Sequence, residues 1–101
     1  MDKKLIVVVV NRGFAEFVVE QSRIYGAKGA TILHGRGTAH IGESFMGMEI
    51  TPEKEVVLII AESAVAKDTQ QKLDEQFAQN TAAGGICFVL PVSHLTNKGN
   101  T

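Results

Sequence analysis

The sequence has one cysteine, two prolines, one tyrosine and no tryptophan in 101 residues. A single thiol, Cys87, excludes an internal disulfide framework and any multi-cysteine metal cluster. Charge of one sign is also missing, with ten basic residues against eleven acidic ones and a formal net charge of −1. Neither the basic footprint of a nucleic-acid binder nor that of an anionic-membrane binder is present, so no direct nucleic-acid binding is expected. No apolar run approaches the roughly 20 residues that span a bilayer. The run at residues 5–10 is too short, and it lacks the longer apolar region and small-residue cleavage site of a signal peptide. No membrane insertion is expected, and the expected compartment is the cytoplasm.

What is present is enough to build a core: 45 % of the residues are hydrophobic and 21 % charged. The length fits one domain, expected over residues 1–96, with a polar tail at 97–101 that includes Lys98. Residues 5–10 form a β-branched run that stops at Asn11-Arg12-Gly13, which reads as a strand buried on both faces. Phe14, Phe17, Val18, Ile24 and Tyr25 then recur at helical spacing, and Gly26 offers a left-handed cap after the last turn. Residues 30–34 read as a second strand. Residues 38–51, with Gly42, Gly47 and mixed polarity, read as an exposed loop. Pro52 stands at or before a third strand at 55–61, because a central strand has no use for a proline. Ser63 is the candidate cap of a helix over 64–79, on which Ala66, Thr69, Leu73 and Phe77 share a face. A small-residue turn through Gly84 and Gly85 leads to a last strand at 86–92. The order β-α-β-β-α-β is that of an α+β ferredoxin-like sandwich, a four-stranded antiparallel sheet with two helices on one face.

The helix-free face of such a sheet normally turns polar side chains to water at every second position. Here Val7 and Val9 are as apolar as Ile6, Val8 and Val10, and the strand at 55–61 is apolar at both parities. In the last strand Ile86, Phe88 and Leu90 alternate with Cys87 and Val89. Burying an aliphatic side chain is worth roughly 1.5–3 kcal/mol. Leaving half a dozen in water therefore forfeits about 9 kcal/mol or more, comparable to the ~5–15 kcal/mol stability of an ordinary domain. The second face is expected to be covered by neighbouring subunits.

Few residues suggest chemistry of their own. His34, His40 and His94 have no close ligand spacing; His40, in the loop with Glu43, is the one weak metal candidate, and otherwise no metal site is expected. His34 reads as a strand-end residue with a backbone partner. Cys87 lies inside a strand and reads as a buried structural thiol. Glu53, Glu55, Asp74 and Glu75 read as solvated charges, Ser44 has no nucleophile-elbow pattern, and catalysis is not expected. Phe45, Met46 and Met48 are large apolar residues on a glycine-flanked excursion. They either pack on a neighbouring subunit or dock a target protein, a task for which flexible methionines are suited. The Gly-containing segments 35–38 and 81–85 are either ordinary turns or places where backbone N–H groups approach an anion closely.

The order and spacing of Gly29-Ala30-Thr31, Gly35-Arg36-Gly37, the strand at 55–61 and the run Ala83-Gly84-Gly85-Ile86-Cys87-Phe88-Val89 resemble the PII family of nitrogen-regulatory signalling proteins over nearly the whole chain. The resemblance implies a non-enzymatic homotrimer that binds adenine nucleotides (ATP, ADP or AMP) as exchangeable effectors, with no permanent cofactor, in clefts between subunits. A loop that moves with the ligand engages transporters, enzymes or transcription factors. Carried over by position, Gly35, Arg36, Gly37 and Thr38 form the root of that loop. Thr81, Gly84 and Gly85 form the phosphate-facing turn, and Lys98 is the one basic residue after the closing strand. The chain departs from the family pattern in having Ile86 where the glycine turn normally presents a lysine, in a shortened loop, and in having no tyrosine there. The alternative is a divalent-cation-binding trimer resembling the cation tolerance proteins, which share this architecture. A third reading is a structural module without a ligand.

Overall fold

A computed structural model describes residues 2–38 and 53–96 in full, together with the backbone of two short strands between them. The elements are β1 (Lys3–Asn11), α1 (Ala15–Ile24), β2 (Thr31–Arg36), β3 (Ser44–Phe45), β4 (Met48–Glu49), β5 (Glu53–Glu62), α2 (Ser63–Gln79) and β6 (Ile86–Pro91), with a 3₁₀ turn at Thr81–Ala83. The main sheet runs β2-β5-β1-β6 and every pairing is antiparallel. This is the ferredoxin-like sandwich that the alternation of strands and helices predicts. The two longest apolar runs pair with each other as the central strands, where both faces have to be covered.

Parity divides the sheet cleanly. Ile6, Val8, Val10, Val57, Ile59 and Ala61 are buried beneath Ala15, Val18 and Val19 of α1 and Ala66 and Leu73 of α2. Phe17, Phe77, Cys87 and Val89 pack at the margin of this core. The alternate residues form three rows across the other face. Leu33, Val56, Val9 and Ile86 make one row, and Thr31, Leu58, Val7 and Phe88 the next. Ile60, Leu5 and Leu90 make the third. Both helices lie on the opposite face, and Ile86 is 61 % exposed and Phe88 43 %.

Local details differ from the sequence reading in four places. Ser63 is not the cap of α2 but its first residue; the cap position is Glu62, in extended backbone. Ile24, grouped with the apolar helix face, is 70 % exposed because it falls on the side of α1 opposite the stripe of Ala15, Val18, Val19 and Ser22 that faces the core. His34 is not at a strand end, since β2 runs on to Arg36. The segment 38–51 contains a small hairpin in which Phe45 pairs with Met48. The α1 terminus does follow expectation. Gly26, at φ +110°, donates to the Arg23 carbonyl while Ala27 donates to that of Ser22, the paired bonds of a left-handed helix stop.

Candidate functional site

Antiparallel pairing brings the end of β1, the start of β5, the end of β2 and the start of β6 to one end of the sheet. Both glycine-containing segments therefore lie there, but at opposite edges. Gly35 and Arg36, expected at the loop root, are the last residues of edge strand β2 and Gly37 and Thr38 lead out of it, while residues 81–85 lead into edge strand β6. Three strand spacings separate them, about 14 Å at ~4.8 Å each.

The turn is built from its own backbone. Ala83 N–H donates to the Asn80 carbonyl at 3.2 Å and Gly84 N–H to that of Thr81 at 3.1 Å. Gly84 then takes the left-handed conformation, φ +55° and ψ +39°, that reverses the chain into β6. Thr81 and Gly84 are exposed, and Gly85 is half-buried against Phe77. On the other edge Arg36 and Thr38 are exposed, and Arg36 stands opposite Glu53 in the β2–β5 register.

Between the two edges lies a polar cluster that the sequence reading did not single out. Asn11 and Lys54 are partners across the central strands. Lys54 Nζ donates to Asn11 Oδ1 at 2.6 Å, and Asn11 Nδ2 donates to the Ala82 carbonyl at 2.9 Å. Arg12 pairs with Glu53 at 2.6 Å. Arg12, His34, Gly35, Glu53 and Lys54 line an open depression of about 260 Å³. Among the described residues no carboxylate lies within 4 Å of the Lys54 ammonium, so its positive charge is held on a neutral amide.

Glu55 is not a simple solvated charge. Its Oε1 accepts from Gly13 N–H at 2.8 Å and Ala15 N–H at 3.1 Å, supplying the start of α1 with the acceptor that Phe14 at the cap position cannot offer. Those two bonds hold its carboxyl below the ordinary value of 4.5. Burial opposes the shift, and the neighbouring His34 and Arg12 assist it. Glu53, Asp74 and Glu75 are exposed, Glu53 beside Arg12 and Glu75 beside Lys72.

Cys87 is half-buried, and desolvation, followed by the charge of Asp74, pushes its thiol up to about 11. His94 is exposed beyond β6. His40, Met46 and Lys98 lie outside the described residues, as do the side chains of Phe45 and Met48. Among the described residues no three His, Cys, Asp or Glu side chains come together as metal ligands, and no helix is long and apolar enough to cross a membrane. No signal in the sequence singles out Asn11 and Lys54, because pairing the apolar runs 5–10 and 56–61 end to end opposes 11 to 55, one residue out of the observed register.

Comparison with solved structures gives the same architecture. A PII-like signalling protein from Thermus thermophilus superposes with a TM-score of 0.69 at 27 % identity, covering 91 % of each chain. CPII from Thiomonas intermedia, a nitrogen regulatory PII-like protein solved with ADP, AMP and bicarbonate, also gives 0.69, at 16 % identity and 91 % of each chain. The GlnK–ATP complex of Bacillus subtilis gives 0.63 at 15 % identity, over 91 % of this chain and 85 % of that one. No curated protein matched the sequence. The family model for nitrogen regulatory protein P-II matches residues 3–97. With the strand order and the glycine turn in place, that match across nearly the whole sequence means that the chain belongs to the P-II family of nitrogen regulatory proteins.

Proposed function

We propose that the protein is a non-enzymatic, cytoplasmic PII-type regulator that senses a small anionic metabolite, an adenine nucleotide, and passes its occupancy to a partner protein. The observation that supports this reading most is the Lys54 ammonium, free of any carboxylate among the described residues, at the sheet end where the glycine turn opens. A family member with Ile86 in the turn lacks a lysine there; Lys54, joined to the turn through Asn11, and Arg36, at the end of β2, are cations at the same end of the sheet. CPII was solved with ADP and AMP and GlnK with ATP, which supports the choice of ligand. In this reading Gly35, Arg36, Gly37 and Thr38 form the loop root, and Thr81, Gly84 and Gly85 face the phosphates. Lys98 adds a further cation, while Phe45, Met46 and Met48 meet the partner, a transporter, enzyme or transcription factor.

The ligand cleft lies between subunits of a homotrimer whose helix-free faces meet. The three apolar rows on that face support the assembly, since nothing among the described residues of one subunit covers them. A ligand signals only if it binds one loop state better than another, so the loop root must differ between free and bound forms. Calorimetry with ATP, ADP and AMP, with and without Mg²⁺ and 2-oxoglutarate, tests the reading. Saturable heat with at least one nucleotide is the expected result, and no heat at millimolar concentration overturns it.

A further inference from the structure

The two candidate ligand segments sit on opposite edges of the sheet, and the described side chains connect them. From the turn, the Ala82 carbonyl accepts from Asn11 Nδ2; from Asn11, Oδ1 accepts from Lys54 Nζ. From Lys54 the path continues by packing, because its stem passes directly beside Gly37. A Cβ on Gly37 would stand 2.8 Å from Lys54 Cε. The turn end is equally close, since a Cβ on Gly84 would stand 2.6 Å from Asn11 Nδ2. Each glycine thus leaves the space that one member of the Asn11–Lys54 pair fills.

The amide orientation follows from chemistry. An ammonium can only donate and a carbonyl can only accept, so Oδ1 must face Lys54 and the NH₂ must face Ala82. An aspartate would lose the donor and a leucine both functions. We infer that Asn11 is a positioning residue that couples the 81–85 turn to the 35–38 loop root by holding the Lys54 ammonium between them. Movement of either segment displaces the shared pair and is felt by the other. This rests on the nucleotide reading for its use in signalling, but the coupling itself is a property of the free protein.

Hydrogen exchange of the full chain without ligand tests it. The reporters are the amides of Ala83 and Gly84, protected by the turn's own bonds, with the amide of Val8 as the measure of global opening. Lys54→Met keeps a stem beside Gly37 and removes the donor. It is expected to speed exchange at Ala83 and Gly84 about fivefold, with Val8 unchanged, as a coupling at the low end of the usual range would. Lys54 does not bond to those amides, so a purely local role leaves them at the wild-type rate, and that result overturns the inference. Asn11→Ala is expected to match Lys54→Met, and the double variant to be no faster than either. Additive effects in the double variant overturn it also. A second arm adds ADP. In the wild type, saturating ADP is expected to slow tryptic cleavage after Arg36, and Asn11→Ala at saturation is expected to lose that protection. If ADP fails to bind the wild type, the arm is run with ATP and AMP; the nucleotide reading falls if none of the three binds, while the ligand-free exchange still decides the coupling.

Discussion

Gly85 lies against the face of Phe77, so close that a Cβ on the glycine would stand 2.5 to 2.6 Å from three ring carbons. The glycine of the turn is thus demanded by the packing of α2 as well as by anything the turn binds. Gly85→Ala is expected to destabilise the protein by about 1–3 kcal/mol, the usual range for forcing extra volume into a packed site. Pairing it with Phe77→Leu is expected to recover part of the loss. Chemical denaturation of the single and double variants checks this, and a Gly85→Ala protein as stable as the wild type would show that the ring moves aside freely.

The Glu55 carboxylate begins α1 from a strand 40 residues away in sequence, through its bonds to Gly13 and Ala15. Loss of an acceptor at a helix start typically costs about 0.5–2 kcal/mol, and Glu55→Ala is expected to fall in that range. The pH dependence has a definite sign. Because the folded-state pKa lies below the ordinary 4.5, the charge contributes its stability above 4.5 and loses it as pH falls through the folded value. The stability gap between wild type and Glu55→Gln should therefore be full at neutral pH and shrink in acid. A gap that stays constant from about pH 7 to about pH 3 would remove the charge from the account.

The strands are legible in the sequence because residues 5–10 and 56–61 are apolar at both parities, and only a central strand covered on two sides tolerates that. The helices are legible from periodicity, with α2 offset by a single residue at its start. What the sequence hides is register. Glu55 looks like a surface charge until β5 pairs with β1 and places its carboxylate beside Gly13, and Asn11 looks like the end of a strand until Lys54 is set opposite it. For the same reason Gly84 announces a turn, while Gly35, read as the start of a loop, lies inside β2, and the side chains that join the two segments come from elsewhere in the chain. Asn11 and Ala82 stand 71 positions apart. Ile24 errs the other way: it is apolar and lies in the periodic segment, but the structure puts it on the helix face opposite Ala15, Val18 and Ser22.

Cys87 faces the helices from edge strand β6, with its carbonyl accepting from Gln70 at 3.3 Å. Burial disfavours the thiolate, so the thiol titrates near 11 instead of its ordinary 9.0. Since only the thiolate attacks a disulfide reagent, the folded protein is expected to react slowly at about pH 8 and to quicken steadily towards pH 11. Unfolding in denaturant should release the ordinary, faster reaction. Rapid labelling of the native protein at about pH 8 would place the thiol outside the core.

Val7 and Phe88 are opposed in the middle row of the helix-free face, flanked by Leu58 and by the Val9–Ile86 and Leu5–Leu90 pairs. Phe88→Glu puts a charge into the centre of that apolar surface and, by parity, away from the helices. If three such faces meet in a trimer, apolar burial is what holds it together, and a buried unpaired carboxylate there costs several kcal/mol. The variant is expected to sediment as a monomer at low micromolar concentration with its helical circular dichroism retained, while the wild type sediments as a trimer. If the ligand cleft lies between subunits, nucleotide heat should disappear with the assembly. A Phe88→Glu protein that stays trimeric would move the contact to another surface, and a wild type that is monomeric at that concentration would remove the shared cleft altogether.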